Sequence, residues 1–125
     1  MKVLLSIKPE YVEKIFTGEK KFEYRKSIFQ KKNIKTVVIY STMPVGKVVG
    51  EFEIGEILSA HPNEIWGMTK EHSGVNECFY NEYFKDRCLA HAIQIRNIIV
   101  YNVAKPLNEV VMTNNAPQSF CYLEN

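Results

Sequence analysis

Cysteine is scarce in this chain, and what there is forms no motif. Cys78, Cys88 and Cys121 are an odd number, and with His61, His72 and His91 they give no Cys-x-x-Cys or His-x-x-x-His pair. The spacing therefore gives a zinc site no support, and the count gives none to a disulfide framework. A reduced, cytoplasmic setting is the plain expectation. Glycine-rich phosphate loops are missing too, Gly46 and Gly50 serving as strand punctuation. No Gly-x-Ser-x-Gly elbow marks a serine nucleophile. No apolar run approaches the roughly 18 residues of a membrane helix. The opening MKVLLSIKPEY reaches Lys8 and Pro9 too soon for a secretory core. No metal, cofactor or membrane is expected.

What remains is an ordinary globular composition, 46% hydrophobic and 24% charged over 125 residues. That length suits one domain over 1–125 with a single core. The net charge of +2 is unevenly spread: ten Lys/Arg against four Glu up to Lys35, six basic against ten acidic after it, so +6 and −4. A basic first third on a mildly acidic body suggests one face able to meet phosphates, a solvated lysine-rich surface being the plainer alternative.

The chain reads as short strands with helices between them. Val3–Ile7 is an apolar strand, and Pro9 opens a helix in which Val12, Ile15 and Phe16 make one stripe. Thr17-Gly18 ends it. Lys20–Arg25 alternates as a strand, with Phe22 and Tyr24 assigned to the core and Lys21, Glu23 and Arg25 to a polar face. Thr36–Thr42 is β-branched, and Lys47–Ile57 is a long strand whose Gly50 and Gly55 suit bulges. His61–Met68 reads as a loop into one helical turn, Val75–Arg87 as a second helix, Ala90–Val103 as strand with a turn near Asn97, and Ser119–Leu123 as a last strand. Five or six strands with two inserted helices suit a small mixed α+β barrel, and an open α+β sandwich competes on pattern alone.

The stretch Ser6–Arg25, SIKPEYVEKIFTGEKKFEYR, holds the densest polar set. A lysine at 20 crowded by Lys21 and Arg25 has its pKa pushed down, toward use as a base or nucleophile. Glu23 can hold it, move a proton or accept from a base amino group. The competing view is a cross-strand ion pair worth ~0–1 kcal/mol when exposed. A regular pleat puts Lys20 and Glu23 on opposite faces, so a shared cleft requires Lys20 to belong to the turn. Ser6, Lys8, Tyr40 and Ser41 at strand ends, and Gln118 and Ser119 in the tail, are further cleft candidates, and Tyr40 or Trp66 offers a stacking face.

The pattern Gly18-x-Lys20-x-x-Glu23-x-Arg25 after a helix resembles the ASCH domains of the PUA-like superfamily. Ala116–Tyr122 is similar to the closing strand of a subgroup of them, and Tyr83-Phe84-Lys85 followed by Ala90–Ile95 to the passage from a late helix into a barrel strand. The resemblance implies a PUA-like β-barrel that engages RNA or modified nucleosides in a cleft beside the first helix. It also implies one of two activities, amidohydrolysis of N4-acetylcytidine or cleavage of RNA. The amidohydrolase lysine falls on Lys20, but its threonine position holds Glu23, and a carboxylate does not replace a hydroxyl in a proton relay. Its distal glutamate has two candidates, Glu77 and Glu82. Three functions stand at this point: an RNA or nucleoside binder using Lys8, Lys20, Glu23 and Arg25, closed by Gln118 and Ser119; an enzyme using Lys20; and a protein-interaction module on the basic face.

Overall fold

The structure, a computed structural model, describes residues 1–111, 116, 117 and 119–123. Among these residues six strands form one mixed sheet in the order β2-β5-β4-β3-β1-β6. They are β1 (Lys2–Ile7), β2 (Phe22–Arg25), β3 (Thr36–Ser41), β4 (Lys47–Ala60), β5 (Ala90–Pro106) and β6 (Phe120–Leu123). Among the described residues only β1 and β3 run parallel, with Leu4 opposite Val38 and Ser6 opposite Tyr40. The others pair antiparallel. The helices are α1 (Pro9–Thr17), α2 (Pro62–Thr69) and α3 (Glu77–Tyr83).

The sheet curls into a half-barrel, and β4 and β5 show how. Their register shifts between Val48 and Gly50, between Glu51 and Glu53, and between Ile54 and Ile57, the last across Gly55. Bulges of this kind bend a strand and raise its twist. At Gly50 the backbone lies so close to its neighbours that an added Cβ would sit 2.5 Å from the Ile99 carbonyl oxygen and 2.9 Å from the Phe16 ring. Helix α1 thereby rests on the concave side. β5 runs unbroken through the turn expected near Asn97, which takes φ 46° within the strand.

Capping explains the helix ends. Pro9 stands at the first turn of α1 and Gly18 closes it at φ 86°, its N–H donating to the Ile15 carbonyl. Where one helical turn is expected, α2 makes two: Pro62 starts it, the His61 imidazole accepts from the Asn63 N–H, and Ile65 and Thr69 are buried. In α3 the Asn76 side chain accepts from the Phe79 N–H.

Val3, Leu5, Ile7, Val12, Ile15, Val37, Ile39 and Phe52 fill the hollow between sheet and α1. A second cluster, Tyr24, Ile65, Tyr80, Phe84, Ala90 and Ala92, holds α2 and α3 on β2 and β5. A third, with Leu4, Val38, Tyr40, Val48 and Leu107, covers the other side. β1 is thus buried on both faces, as its apolar run implies. No helix among the described residues is long and apolar enough to cross a membrane.

Candidate functional site

Lys20 precedes β2, in the turn that Gly18 opens. Its N–H donates to the Lys14 carbonyl at 3.0 Å, and that of Lys21 to the His72 carbonyl at 2.9 Å. With both flanks of the turn tied, the Lys20 side chain projects inward and is 2% exposed. Its ammonium donates to the Ser73 carbonyl at 2.7 Å and lies 4.0 Å from Glu23 Oε1. It also stands over the Tyr24 ring at 4.8 Å and the Tyr11 ring at 5.5 Å. Gly74, at φ +69°, packs on its stem so closely that a Cβ there would fall 2.5–2.8 Å from three Lys20 carbons. Burial pushes the Lys20 pKa down to about 8; Glu23 opposes the shift, and Lys14 and Arg25 add to it. The sequence pointed to Lys21 as one cause, but Lys21 is exposed and burial is the larger effect.

Glu23 is shared between two cations. Its Oε2 is 3.1 Å from Arg25 Nη2, while Oε1 faces Lys20. Arg25 also donates to the Ser6 carbonyl at 2.9 Å and the Ser119 carbonyl at 3.2 Å. It therefore stitches β2, one edge of the sheet, to β1 and the tail at the other edge. Its Nε is buried with no partner among the described residues. Ser6 completes the seam, donating from Oγ to the Pro117 carbonyl at 2.7 Å.

A cavity of about 340 Å³ opens at this seam, walled by Ser6, Ile7, Lys8 and Tyr11 from the β1–α1 side, Lys20, Glu23, Tyr24 and Arg25 at the base, and Val75, Phe79, Tyr80 and Tyr83 from α3 and its approach. Tyr24 is buried here with its hydroxyl 2.7 Å from Thr69 Oγ1. Thr69 spends its one proton on the Ile65 carbonyl, also at 2.7 Å, so Tyr24 is the donor of the pair. Burial raises its pKa to about 12, and burial likewise raises those of Tyr11 and Tyr83.

Of the residues named from sequence, Ser6, Lys8, Lys20, Glu23 and Arg25 line this cavity. Tyr40 lies in the third apolar cluster and Ser41 is buried in β3, both outside the lining. Ser119 touches the seam through its carbonyl, and Gln118 lies outside the described residues. Trp66 packs on Tyr80 at 4.6 Å in the second cluster. Glu77 and Glu82 are exposed on α3 and do not line the cavity. No group of His, Cys, Asp or Glu among the described residues is placed to hold a metal. Sequence reasoning missed the aromatic walls. Tyr11 and the run Phe79-Tyr80-Asn81-Glu82-Tyr83-Phe84 carried a signal in their density, but periodicity assigns such a face to the core.

The chain is 31% identical over 123 residues to a segment of an ATP synthase subunit alpha of Ureaplasma parvum, and 28% to a segment of its large ribosomal subunit protein uL22. It spans 98% of itself in both, but only 15% and 39% of those proteins' lengths. It is 26% identical to an ASCH domain-containing ribonuclease of Zymomonas mobilis, over 96% of this chain and 82% of that one. The crystal structure of ASCH from Zymomonas mobilis superposes with a TM-score of 0.90 at 26% identity, covering 98% of this chain and 87% of that one. Residues 5–99, 95 of the 125, match the ASCH domain, and the chain belongs to that family of the PUA-like superfamily.

Proposed function

We propose that this ASCH domain binds RNA by taking one nucleoside into the cavity, base inward and phosphates at the rim. One observation carries the reading: a buried ammonium and a buried carboxylate lie 4.0 Å apart at the base of an aromatic-walled cavity of about 340 Å³. With one N–H on Ser73, Lys20 keeps two donors, and Glu23 Oε1 is an acceptor, so the floor offers both polarities that a base edge presents. Tyr11 and Tyr24 supply faces on which a base stacks for roughly 1–3 kcal/mol. A phosphate is disfavoured beside Glu23 and favoured outside, where Lys8 and Lys26 are exposed. The ribonuclease name of the Zymomonas relative supports RNA as the polymer.

The lowered Lys20 pKa, about 8, favours a second reading in which the domain also hydrolyses its ligand. A neutral amine at that place takes the proton from an attacking hydroxyl, which an ordinary lysine does not do near neutral pH. Time courses with an RNA oligomer and with N4-acetylcytidine, wild type beside Lys20→Ala, separate the two. Retention of RNA without product, weakened in the variant, is the expected result for a binder. Product lost in Lys20→Ala makes this an enzyme. Neither retention nor product removes the RNA reading and leaves a protein partner on the basic face.

A further inference from the structure

We infer that the Phe79–Tyr83 pair on α3 is a second stacking site, taking the base next to the one in the cavity, so that the ligand is a single strand of at least two nucleotides. The inference rests on the nucleoside reading above and adds the strand type. α3 satisfies the core with its other aromatics: Tyr80 and Phe84 are buried, and the Tyr80 hydroxyl donates to the Pro62 carbonyl at 2.7 Å. Phe79 and Tyr83, four residues apart, lie on one face at the cavity mouth instead. Their rings are 12° from parallel with centroids 6.2 Å apart, and Phe79 is 36% exposed.

Each ring has a lysine head over it. Lys8 Nζ lies 5.7 Å from the Phe79 centroid and Lys26 Nζ 4.7 Å from that of Tyr83. Both lysines are exposed and sit on flexible stems, so they can move from the ring faces to phosphates when a base arrives. Phe79 at the surface and the half-buried Tyr83, interleaved with cations and continuous with an aromatic cavity, form the kind of platform that single strands use, with bases on the rings and the backbone on the charges. A duplex keeps its bases stacked on one another and offers no free face to these rings.

The test compares the four ribonucleoside 5′-monophosphates with the four homodinucleotides and a blunt RNA duplex, by calorimetric titration. A stacked base is worth roughly 5- to 150-fold in affinity. The expected result is at least one dinucleotide binding about tenfold more tightly than its monophosphate, with the duplex showing no such gain. Phe79→Leu with Tyr83→Leu keeps apolar bulk but removes the π faces, and the ratio should fall to near one, whatever happens to the monophosphate. A wild-type ratio near one, or a ratio unchanged in the double variant, overturns the second site while the cavity reading stands. If neither monophosphates nor dinucleotides bind, both fall together.

Discussion

Lys20 is a residue the fold would be more stable without. A lysine held at about 8 instead of 10.5 costs roughly 3 kcal/mol of folding free energy while charged. The unfolded chain binds the extra proton between those two values, so the cost is full below about pH 8 and fades as pH rises toward 10.5. Lys20→Met should therefore be more stable than the wild type at pH 7. We expect a gain of up to about 2 kcal/mol, because the buried Ser73 carbonyl loses its donor. Denaturant unfolding should show the two proteins converging between pH 8 and 10. A variant less stable than wild type at pH 7 would mean the lysine is there for structure. Gly74 is the complementary position. Gly74→Ala places a methyl against the Lys20 stem at φ +69°, and it should cost about 1–3 kcal/mol and weaken RNA retention with it. Retention unchanged in a folded Gly74→Ala would show that Lys20 need not stand where it does.

At the scale of elements, the Arg25 guanidinium joins two edges of the sheet that no strand ladder connects. Removing it leaves Glu23 buried with Lys20 at 4.0 Å as its one cation among the described residues, and takes a donor from two carbonyls, that of Ser119 keeping the Ser6 N–H at 3.4 Å. Arg25→Gln should destabilise by about 3 kcal/mol and raise amide exchange in β6 before the rest of the sheet. Uniform acceleration would mean the seam does not hold β6. The same element shows what was legible in the sequence. Gly18 after an amphipathic helix fixed where α1 stops, and the pleat then required Lys20 to lie in the turn if it was to face Glu23. Lys20 does lie in that turn. Less legible was which aromatics form walls. Tyr11 and Phe79, 68 residues apart in sequence, meet with centroids 5.7 Å apart only because α3 folds back over α1. Tyr40 misled for a related reason. It is in register with Ser6, but its side chain joins Leu4 and Val38 in the third cluster, and a single strand's pattern does not say which buried face borders a cavity.

At the scale of the whole molecule, the uneven charge becomes a statement about salt. The first 35 residues carry +6 against −4 for the rest, yet few of those lysines surround the cavity. Lys31 lies away from it, with its head 4.6 Å from the Tyr122 ring beside β6. If one nucleoside sits in the cavity and two phosphates meet Lys8 and Lys26, the logarithm of affinity should fall with that of salt at a slope near −1.4. That is about sevenfold between ~50 and ~200 mM. A strand laid along the whole basic face would engage five or more cations and give a slope steeper than about −3. Charge reversal separates the same two pictures. Lys8→Glu with Lys26→Glu should weaken RNA on the order of tenfold or more, whereas Lys31→Glu with Lys32→Glu should change it by no more than about threefold. A steep slope with the larger loss at Lys31 and Lys32 would move the ligand off the cavity and onto the open surface. The buried Lys20–Glu23 pair would then be a costly structural device, with no ligand to account for it.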